Sequence, residues 1–396
     1  MSQKVSLKPL SKTAIDVPFS GIRRFFDIAA KMTDVISLGV GEPDFATPWS
    51  IREAAIYSLE HGQTTYTSNY GLLELRKEIA KYLKTRYEVQ YDPEVEVLVT
   101  VGVSEGLDLA MRVLLNPGDE VLIPEPCYVS YRPCVSLAGG VPVGVETTSE
   151  NHFAVTVEQL KAACTERTKA ILLGYPSNPT GGILNREQVT DIVNFALERG
   201  LYIVSDEIYD RLTYDGMHAC VASVPGARDI TILLNGFSKA YAMTGWRIAY
   251  ACAPENILRL MMKLHSYTML CAPITGQIAA LEALKHGESA VLDMVAHYRQ
   301  RRRLIVDGLN KLGLDCHMPA GAFYAFPSIK STGLTSEEFA ERLLMEEQVA
   351  VVPGTAFGAG GDGHIRCSYA TSIEKLEIAL ARMQRFVENL QKRERK

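Results

Sequence analysis

Short, continuously apolar runs alternate along most of the chain with amphipathic stretches of helical period. The runs lie at 95–101, 120–123, 169–173, 201–205, 231–234 and 248–253. Strands that are apolar at every position, rather than at alternate positions, are typical of a parallel sheet that is covered on both faces. The pattern therefore predicts an α/β protein in which a mostly parallel sheet lies between layers of helices.

Local signals predict where several helices begin. Thr47-Pro48 is expected to open one helix, because proline suits the first helical position. Asn185 with Gln188 has the pattern of a capping box, which predicts a helix that starts near residue 185. Gly102 to Gly106 is expected to form a turn that leads into a helix from about Leu107.

The pattern changes near residue 291, where a long helical stretch is followed by short apolar runs. The runs lie near Phe323–Phe326, Ala350–Val352 and Ile365–Tyr369, before a final helix from about Ser372. We therefore expect three parts. They are an amino-terminal segment, 1–49, that packs with the small domain, a large α/β domain, 50–290, and a small α+β domain, 291–396.

The composition is that of an ordinary globular protein, with 47% hydrophobic and 22% charged residues among 396. The formal net charge of −5 gives no general attraction to nucleic acid or to an anionic membrane, so neither is expected as a partner. The densest basic run, Arg299 with Arg301 to Arg303, lies in an amphipathic helical pattern. It is interpreted as a solvated helix face.

Eight cysteines are scattered along the chain without a C-x-x-C pair or zinc-ligand spacing. They are interpreted as small buried residues, and no metal site is expected. Met1 to Ile22 lacks the apolar core of a signal peptide, and no stretch is long and apolar enough to span a bilayer. A reduced, cytoplasmic setting fits these features.

Polar residues follow several of the predicted strands, where ligands bind in open α/β sheets. Asp206 comes directly after the run at 201–205, and Lys239 follows the run at 231–234. Each has an ordinary structural interpretation, Asp206 as a cap or ion-pair partner and Lys239 as a surface residue. A lysine beside small residues at a strand end is also a candidate buried amine with a depressed pKa, which can form a Schiff base.

Other loops at the same edge could bind an anion. Arg247 could clamp a phosphate, and the turn from Gly102 to Gly106 would present backbone N–H groups. The segment from Tyr175 to Gly182 holds two prolines and two glycines, so it forms a rigid turn. An acid for a ring nitrogen, an amine for an aldehyde and a site for a phosphate together fit pyridoxal 5′-phosphate.

Four motifs carry a resemblance to a known family. They are Ser177-Asn178-Pro179-Thr180-Gly181, Asp206-Glu207-x-Tyr209, Ser238-Lys239 and Gly245-Trp246-Arg247. The chain resembles the class I aminotransferases of fold type I, in the branch that includes prokaryotic aspartate and aromatic aminotransferases, from Ile36 to Tyr369. The resemblance implies a pyridoxal-phosphate enzyme with a mostly parallel sheet of the seven-stranded type between helices, and a smaller α+β domain.

The resemblance implies roles around the cofactor ring. Lys239 would join the cofactor aldehyde and then move the proton between the substrate Cα and the cofactor. Asp206 would pair with the pyridine nitrogen. Asn178 and Tyr209 would hydrogen-bond the ring 3-oxygen, and Tyr128 would stack on the ring face.

It also implies how the phosphate is held. The amides of Val103 and Ser104 would bind it, together with the Ser238 hydroxyl and the Arg247 guanidinium. Tyr66 corresponds to a tyrosine that reaches the phosphate of the neighbouring subunit, which implies a homodimer with shared active sites.

For the substrate, the resemblance implies that Arg366 binds the α-carboxylate with Asn178, while Gly41 lets the backbone approach. This anchoring would leave the Cα–H bond near Lys239, which favours transamination. The expected kinetics are ping-pong, with an L-amino acid as donor and 2-oxoglutarate as the preferred acceptor.

Two departures from the family pattern affect the choice of substrate. Ser104 stands where some aspartate-specific relatives carry a lysine, which favours a broad or aromatic L-amino acid. Aspartate and N-acetyl-LL-diaminopimelate remain open as substrates. Gly174 stands where many relatives carry an asparagine, and the sequence does not indicate what this changes.

Three other functions compete with transamination. The first is a carbon–sulfur β-lyase on the same cofactor. The second is a transcriptional regulator built on an aminotransferase body, although the resemblance starts too early in the chain for a preceding DNA-binding domain. The third is a structural protein with an inactive site, against which the intact Asp206, Lys239, Arg247 and Arg366 argue.

Overall fold

The fold comes from a computed structural model that describes residues 7–19 and 32–394. Its strands are β1 (Ile36–Ser37), β2 (Val97–Thr100), β3 (Glu120–Glu125), β4 (Val141–Glu146), β5 (Thr168–Gly174), β6 (Tyr202–Asp206), β7 (Thr231–Gly236), β8 (Ala249–Cys252), β9 (Tyr324–Ala325), β10 (Val349–Ala350), β11 (Val352–Pro353) and β12 (Ile365–Ser368). Its α-helices are α1 (Lys12–Asp16), α2 (Trp49–Glu60), α3 (Leu73–Tyr87), α4 (Gly102–Leu114), α5 (Tyr131–Leu137), α6 (Val157–Ala163), α7 (Arg186–Arg199), α8 (Glu255–Thr268), α9 (Ile274–His286), α10 (Glu288–Lys311), α11 (Ser336–Glu347) and α12 (Ile373–Glu394).

Seven strands form the central sheet in the order β2-β8-β7-β6-β5-β3-β4. Strand β8 runs antiparallel to both of its neighbours, and the other pairs are parallel. Leu122, Ile203 and Leu233, in three of the inner strands, are each 0% exposed. The predicted α/β fold with a mostly parallel sheet is confirmed.

Strand β4 at the edge of this sheet was not predicted from the sequence. Its side chains are mostly exposed or half-buried, and it contains both Pro142 and Gly144. Proline and glycine weaken the strand pattern and are tolerated at an edge. The edge position therefore explains why the apolar pattern is weak there.

Two predicted elements differ from the structure. The segment from Gly102 to Gly106 is already the first part of helix α4, because the Glu105 carboxylate accepts a hydrogen bond from the Val101 amide at 2.6 Å and caps this turn. The run Ala350–Val352 is divided between β10 and β11, which belong to different sheets. The capping box of Asn185 and Gln188 is confirmed at the start of α7.

The carboxyl-terminal part begins with α10 and holds a three-stranded antiparallel sheet, β11-β12-β9. The segment near the amino terminus joins it, since β1 pairs with β10 and places Ile36 opposite Val349. Residues 1–6 and 20–31 of the predicted amino-terminal segment lie outside the described residues. The division into three domains therefore stays a prediction.

The interpretation of the basic run as a solvated helix face is wrong for two of its members. Arg301 and Arg302 are buried in α10, while Arg299 and Arg303 are exposed. Arg301 pairs with Asp44 at 2.7 Å and Arg302 pairs with Asp215 at 2.7 Å. The guanidinium of Arg301 also lies over two aromatic rings and that of Arg302 over one, so both charges are compensated inside the protein.

The cysteines behave largely as expected. Five of the eight are buried, and all are free thiols. Within residues 7–19 and 32–394, no group of histidines, cysteines and acids is arranged to hold a metal ion. Within the same ranges, none of the helices has the length and apolarity that a bilayer crossing requires.

Candidate active site

A cavity of about 320 Å³ opens at the carboxyl ends of the central strands. The walls contain all of the predicted site residues except Tyr66. These are Gly41, Val103, Ser104, Tyr128, Asn178, Asp206, Tyr209, Ser238, Lys239, Arg247 and Arg366. The loops after β2, β5, β6 and β7 thus meet at one cavity. Gly41, which precedes the central sheet in the chain, and Arg366, which follows it, complete the walls.

Lys239 follows β7 and brings an amine into the cavity. Its Nζ donates a hydrogen bond to the carbonyl oxygen of Gly41 at 2.7 Å and lies 5.9 Å from the centre of the Tyr209 ring. Burial lowers the pKa of Lys239 to about 8. A lysine with this pKa is largely protonated at neutral pH but loses its proton far more readily than a surface lysine.

Asp206 ends β6 and is buried in the wall of the same cavity. Its Oδ2 accepts a hydrogen bond from the Tyr131 hydroxyl at 2.8 Å, and its Oδ1 accepts one from the Ile208 amide at 3.2 Å. Burial raises the pKa of Asp206 to about 6, although both hydrogen bonds act in the opposite direction. This carboxylate is suited to pair with a positively charged ligand group.

Arg247 and the amino end of α4 form the anion-binding corner of the cavity. Arg247 has φ +53°, a left-handed backbone that is uncommon outside glycine, and its Nη1 donates to the carbonyl oxygen of Thr244 at 3.0 Å. A Cβ on Gly102 would overlap its guanidinium, so glycine at 102 allows the close approach. Val103 and Ser104 in the first turn add the positive end of the helix dipole.

Arg366 lies on β12 and reaches the cavity from the carboxyl-terminal part. Its Nη1 donates to Oδ1 of Asn178 at 2.8 Å, and its Nη2 donates to the carbonyl oxygen of Gly39 at 2.5 Å. The guanidinium lies 4.5 Å from the centre of the Tyr324 ring. Within the described part of the chain its buried Nε has no hydrogen-bond partner, and Nη1 and Nη2 each keep a second hydrogen that a ligand acceptor could take.

Several residues of the site were missed from the sequence. Tyr131 bonds Asp206, and Tyr324 exchanges a hydrogen bond of 2.7 Å with the Tyr209 hydroxyl. Tyr131 lies three positions after Tyr128, and a turn joins the two residues just before α5, so their closeness in sequence could have pointed to it. Tyr324 belongs to a short apolar strand with no such signal.

Tyr66 lies outside the cavity of its own chain and is 81% exposed. Its contact with the neighbouring subunit stays a prediction.

Comparison with known proteins places the chain among aminotransferases. The model of the family "Aminotransferase class I and II" matches residues 33–383. YugH of Bacillus subtilis, whose name assigns it only provisionally to the aminotransferases, is 55% identical over 368 residues, which cover 93% of this chain and 95% of YugH.

Two relatives with more specific names are also similar over nearly their whole length. An aspartate aminotransferase of Pyrococcus abyssi is 48% identical over 93% of this chain and 95% of its own. The crystal structure of an aromatic aminotransferase from Pyrococcus horikoshii superposes with a TM-score of 0.89, at 44% identity, over 93% of this chain and 99% of the other.

Proposed function

The chain belongs to the class I and II aminotransferase family and is an aminotransferase, and we propose that its donor is a broad or aromatic L-amino acid, with 2-oxoglutarate as the acceptor. Members of the family use pyridoxal 5′-phosphate. The convergence of an amine, a buried carboxylate and two arginines on one cavity supports its use as the site of transamination, and the lack of a further cation among the described lining residues supports the proposed donor.

The cavity fits pyridoxal 5′-phosphate by the chemistry of its donors. Lys239 would hold the cofactor aldehyde, and Asp206 would face the pyridine nitrogen. Arg247, Ser238 and the first turn of α4 would hold the phosphate, since a helix amino end and a guanidinium both favour an anion. Asn178 and Tyr209 would face the ring 3-oxygen, and Tyr128 the ring face.

When bound, the cofactor supplies an electron sink for the pair left behind when the substrate Cα–H bond breaks. Lys239 is the base that we propose removes this proton, because burial has brought its pKa to about 8. The carbonyl of Gly41, which now accepts a hydrogen bond from Nζ at 2.7 Å, would hold the amine near the substrate.

Arg366 would hold the α-carboxylate of every substrate. Asn178 and Gly39 orient its guanidinium, and the ring of Tyr324 supports one face. Nη1 and Nη2 each make one hydrogen bond to a described residue, so each keeps a second hydrogen for a carboxylate oxygen. With the carboxylate anchored there, the remaining substituents of Cα have a restricted orientation, which decides which bond can be broken.

The charges of the cavity favour a neutral side chain on the donor. Lys239, Arg247 and Arg366 line it, and we propose roles for all three. Among the described residues of the cavity wall there is no further lysine or arginine to pair with a second carboxylate, and Ser104 stands where some aspartate-specific relatives have a lysine. Aspartate and N-acetyl-LL-diaminopimelate are the alternative donors.

A panel of amino donors against 2-oxoglutarate, scored by kcat/KM, tests the proposed substrate class. We expect tyrosine or phenylalanine to exceed aspartate. Ser104→Lys is expected to raise the kcat/KM for aspartate about tenfold relative to phenylalanine, because one added ion pair contributes about 1.4 kcal/mol.

Ser104→Ala is the matched control, since it changes the same side chain without adding charge. A wild-type preference for aspartate by an order of magnitude would contradict the proposed substrate class and leave the transamination intact. Release of pyruvate and ammonia from cystathionine without an oxo acid would instead favour the β-lyase.

We also propose a homodimer with shared active sites. Exposed aromatic side chains lie on α2, on the loop that follows it and at the end of α8: Tyr57 is 58% exposed, Tyr66 81% and Tyr267 84%. Gln277 on α9 links the loop after α2 to the segment between α8 and α9, since its amide nitrogen donates to Thr67 Oγ1 at 3.0 Å and to the carbonyl oxygen of Ala272 at 2.8 Å. A second copy would cover this face and bring Tyr66 to the other cavity.

Subunit complementation tests the shared sites. Tyr66→Ala and Lys239→Ala proteins are each expected to be impaired, and a mixture that is unfolded and refolded together should regain activity, because one site of each hybrid dimer lacks both changes. The separately refolded proteins are the control. No regain of activity in a mixture that sedimentation shows to be dimeric would exclude the role of Tyr66.

A further inference from the structure

Tyr131 contacts the buried carboxylate on which the proposed cofactor site depends. It begins helix α5, is 5% exposed, and donates its hydroxyl hydrogen to Oδ2 of Asp206 at 2.8 Å. Burial raises the pKa of the Tyr131 phenol well above its usual range, so the hydroxyl remains a donor at any working pH. Tyr131 lines the cavity beside Asp206, and its hydroxyl is held by that carboxylate.

The space for this hydroxyl exists because residue 174 is glycine. Gly174 ends β5 and lies opposite Asp206 in the register of the sheet. A Cβ at this position would overlap the Tyr131 hydroxyl and would lie 2.8 Å from the ring Cε2. The tyrosine ring therefore packs directly on the glycine backbone, and any side chain there would displace it from Asp206.

The surroundings of Asp206 act on its pKa in opposite directions. Burial is the largest influence and favours the neutral acid, as does the neighbouring Glu207 carboxylate. The Tyr131 hydroxyl is the strongest of the influences that favour the ionised form, ahead of the Ile208 amide and the Lys239 amine. Removing one hydroxyl therefore removes the main contact that keeps the carboxylate charged.

We propose that Tyr131 and Gly174 act as a positioning pair, in which the bare backbone of Gly174 lets the Tyr131 hydroxyl hold Asp206 ionised and oriented toward the cofactor nitrogen. This inference rests on the proposed function only for the role of Asp206 toward the cofactor. It explains the glycine at 174, since a side chain at that position would compete with the tyrosine for the same volume.

Tyr131→Phe in the cofactor-free protein tests the first half of the pair. The carboxyl of Asp206, observed by NMR after labelling of aspartate, is expected to titrate about one pH unit higher than in the wild-type protein, because one hydrogen bond to the ionised form is lost. Equilibrium dialysis at about pH 5, below both titrations, should show an affinity for pyridoxal 5′-phosphate about tenfold weaker, since only the ionised carboxylate pairs with a protonated ring nitrogen and its fraction falls about tenfold there.

Gly174→Ala tests the second half while Tyr131 and Asp206 keep their identities. It is expected to raise the titration of Asp206 in the same direction, and combining it with Tyr131→Phe should add little, because both changes remove one contact. If Tyr131→Phe leaves the titration of Asp206 unchanged, the proposal is wrong. If only Gly174→Ala leaves it unchanged, the glycine has no part in it. The titration needs no cofactor, so its failure is distinct from a failure of the proposed function, which the Lys239 variant would reveal.

Discussion

Lys239→Ala is expected to lower the rate of α-proton exchange of any amino acid by about four orders of magnitude or more, because the same Nζ serves as the attachment point and as the proposed base. Exchange of the α-hydrogen with deuterium in the solvent, followed by NMR, measures this step without a coupled reaction. The variant should still bind the cofactor, since Asp206, Arg247 and the end of α4 are unchanged.

Borohydride treatment reports the attachment of the cofactor to the amine, whereas hydrogen exchange reports proton transfer. Treatment of the wild-type protein is expected to leave the cofactor covalently bound to the peptide that contains Lys239, as seen by mass spectrometry. The Lys239→Ala protein should carry none. Lys285→Ala, which removes an exposed lysine on α9, is the matched control and should match the wild type in both assays. Retained turnover in the Lys239 variant would refute the catalytic assignment.

Arg366→Ala is expected to lower kcat/KM by two to three orders of magnitude for every amino donor and for the oxo acid alike. All of these substrates carry the carboxylate that we propose Arg366 binds, and loss of one partner of a buried charged hydrogen bond costs about 3–4 kcal/mol. The measurement is the donor panel, repeated on the variant with at least one aromatic, one aliphatic and one acidic donor.

Arg366→Lys keeps the positive charge but lacks the paired N–H donors of the guanidinium, so it should recover only part of the kcat/KM that Arg366→Ala loses. Arg342→Ala, on helix α11, controls for the removal of an arginine from the carboxyl-terminal part. A loss confined to acidic donors would mean that Arg366 binds the side-chain carboxylate instead. The α-carboxylate would then need a different partner.

The sequence predicted the strands and the loops of the site for a physical reason. The inner strands of a covered parallel sheet are apolar on both faces, so their runs stand out, and polar residues such as Asp206 and Lys239 at their ends are conspicuous. Chain direction was harder to predict, and no sequence pattern distinguished β8, which runs against its neighbours.

Contacts between distant segments account for what was missed. The burial of Arg301 depends on Asp44, which lies more than two hundred residues earlier in the chain, and an isolated run of arginines gives no sign of such a partner. The Glu105 carboxylate, which caps α4 through the Val101 amide, also contacts Nδ1 of His265 at 2.6 Å. Spacing along the chain could indicate neither Asp44 as the partner of Arg301 nor His265 as the partner of Glu105.

The antiparallel step from β7 to β8 has a consequence for engineering. Lys239 and Arg247 both lie on the single connection between these adjacent strands, whereas Asp206, Arg366 and Asn178 come from separate segments. An insertion or deletion between 237 and 248 would displace Lys239 relative to Arg247. No compensating change elsewhere could restore the positions of both side chains. Libraries aimed at new substrates should therefore keep this connection at constant length.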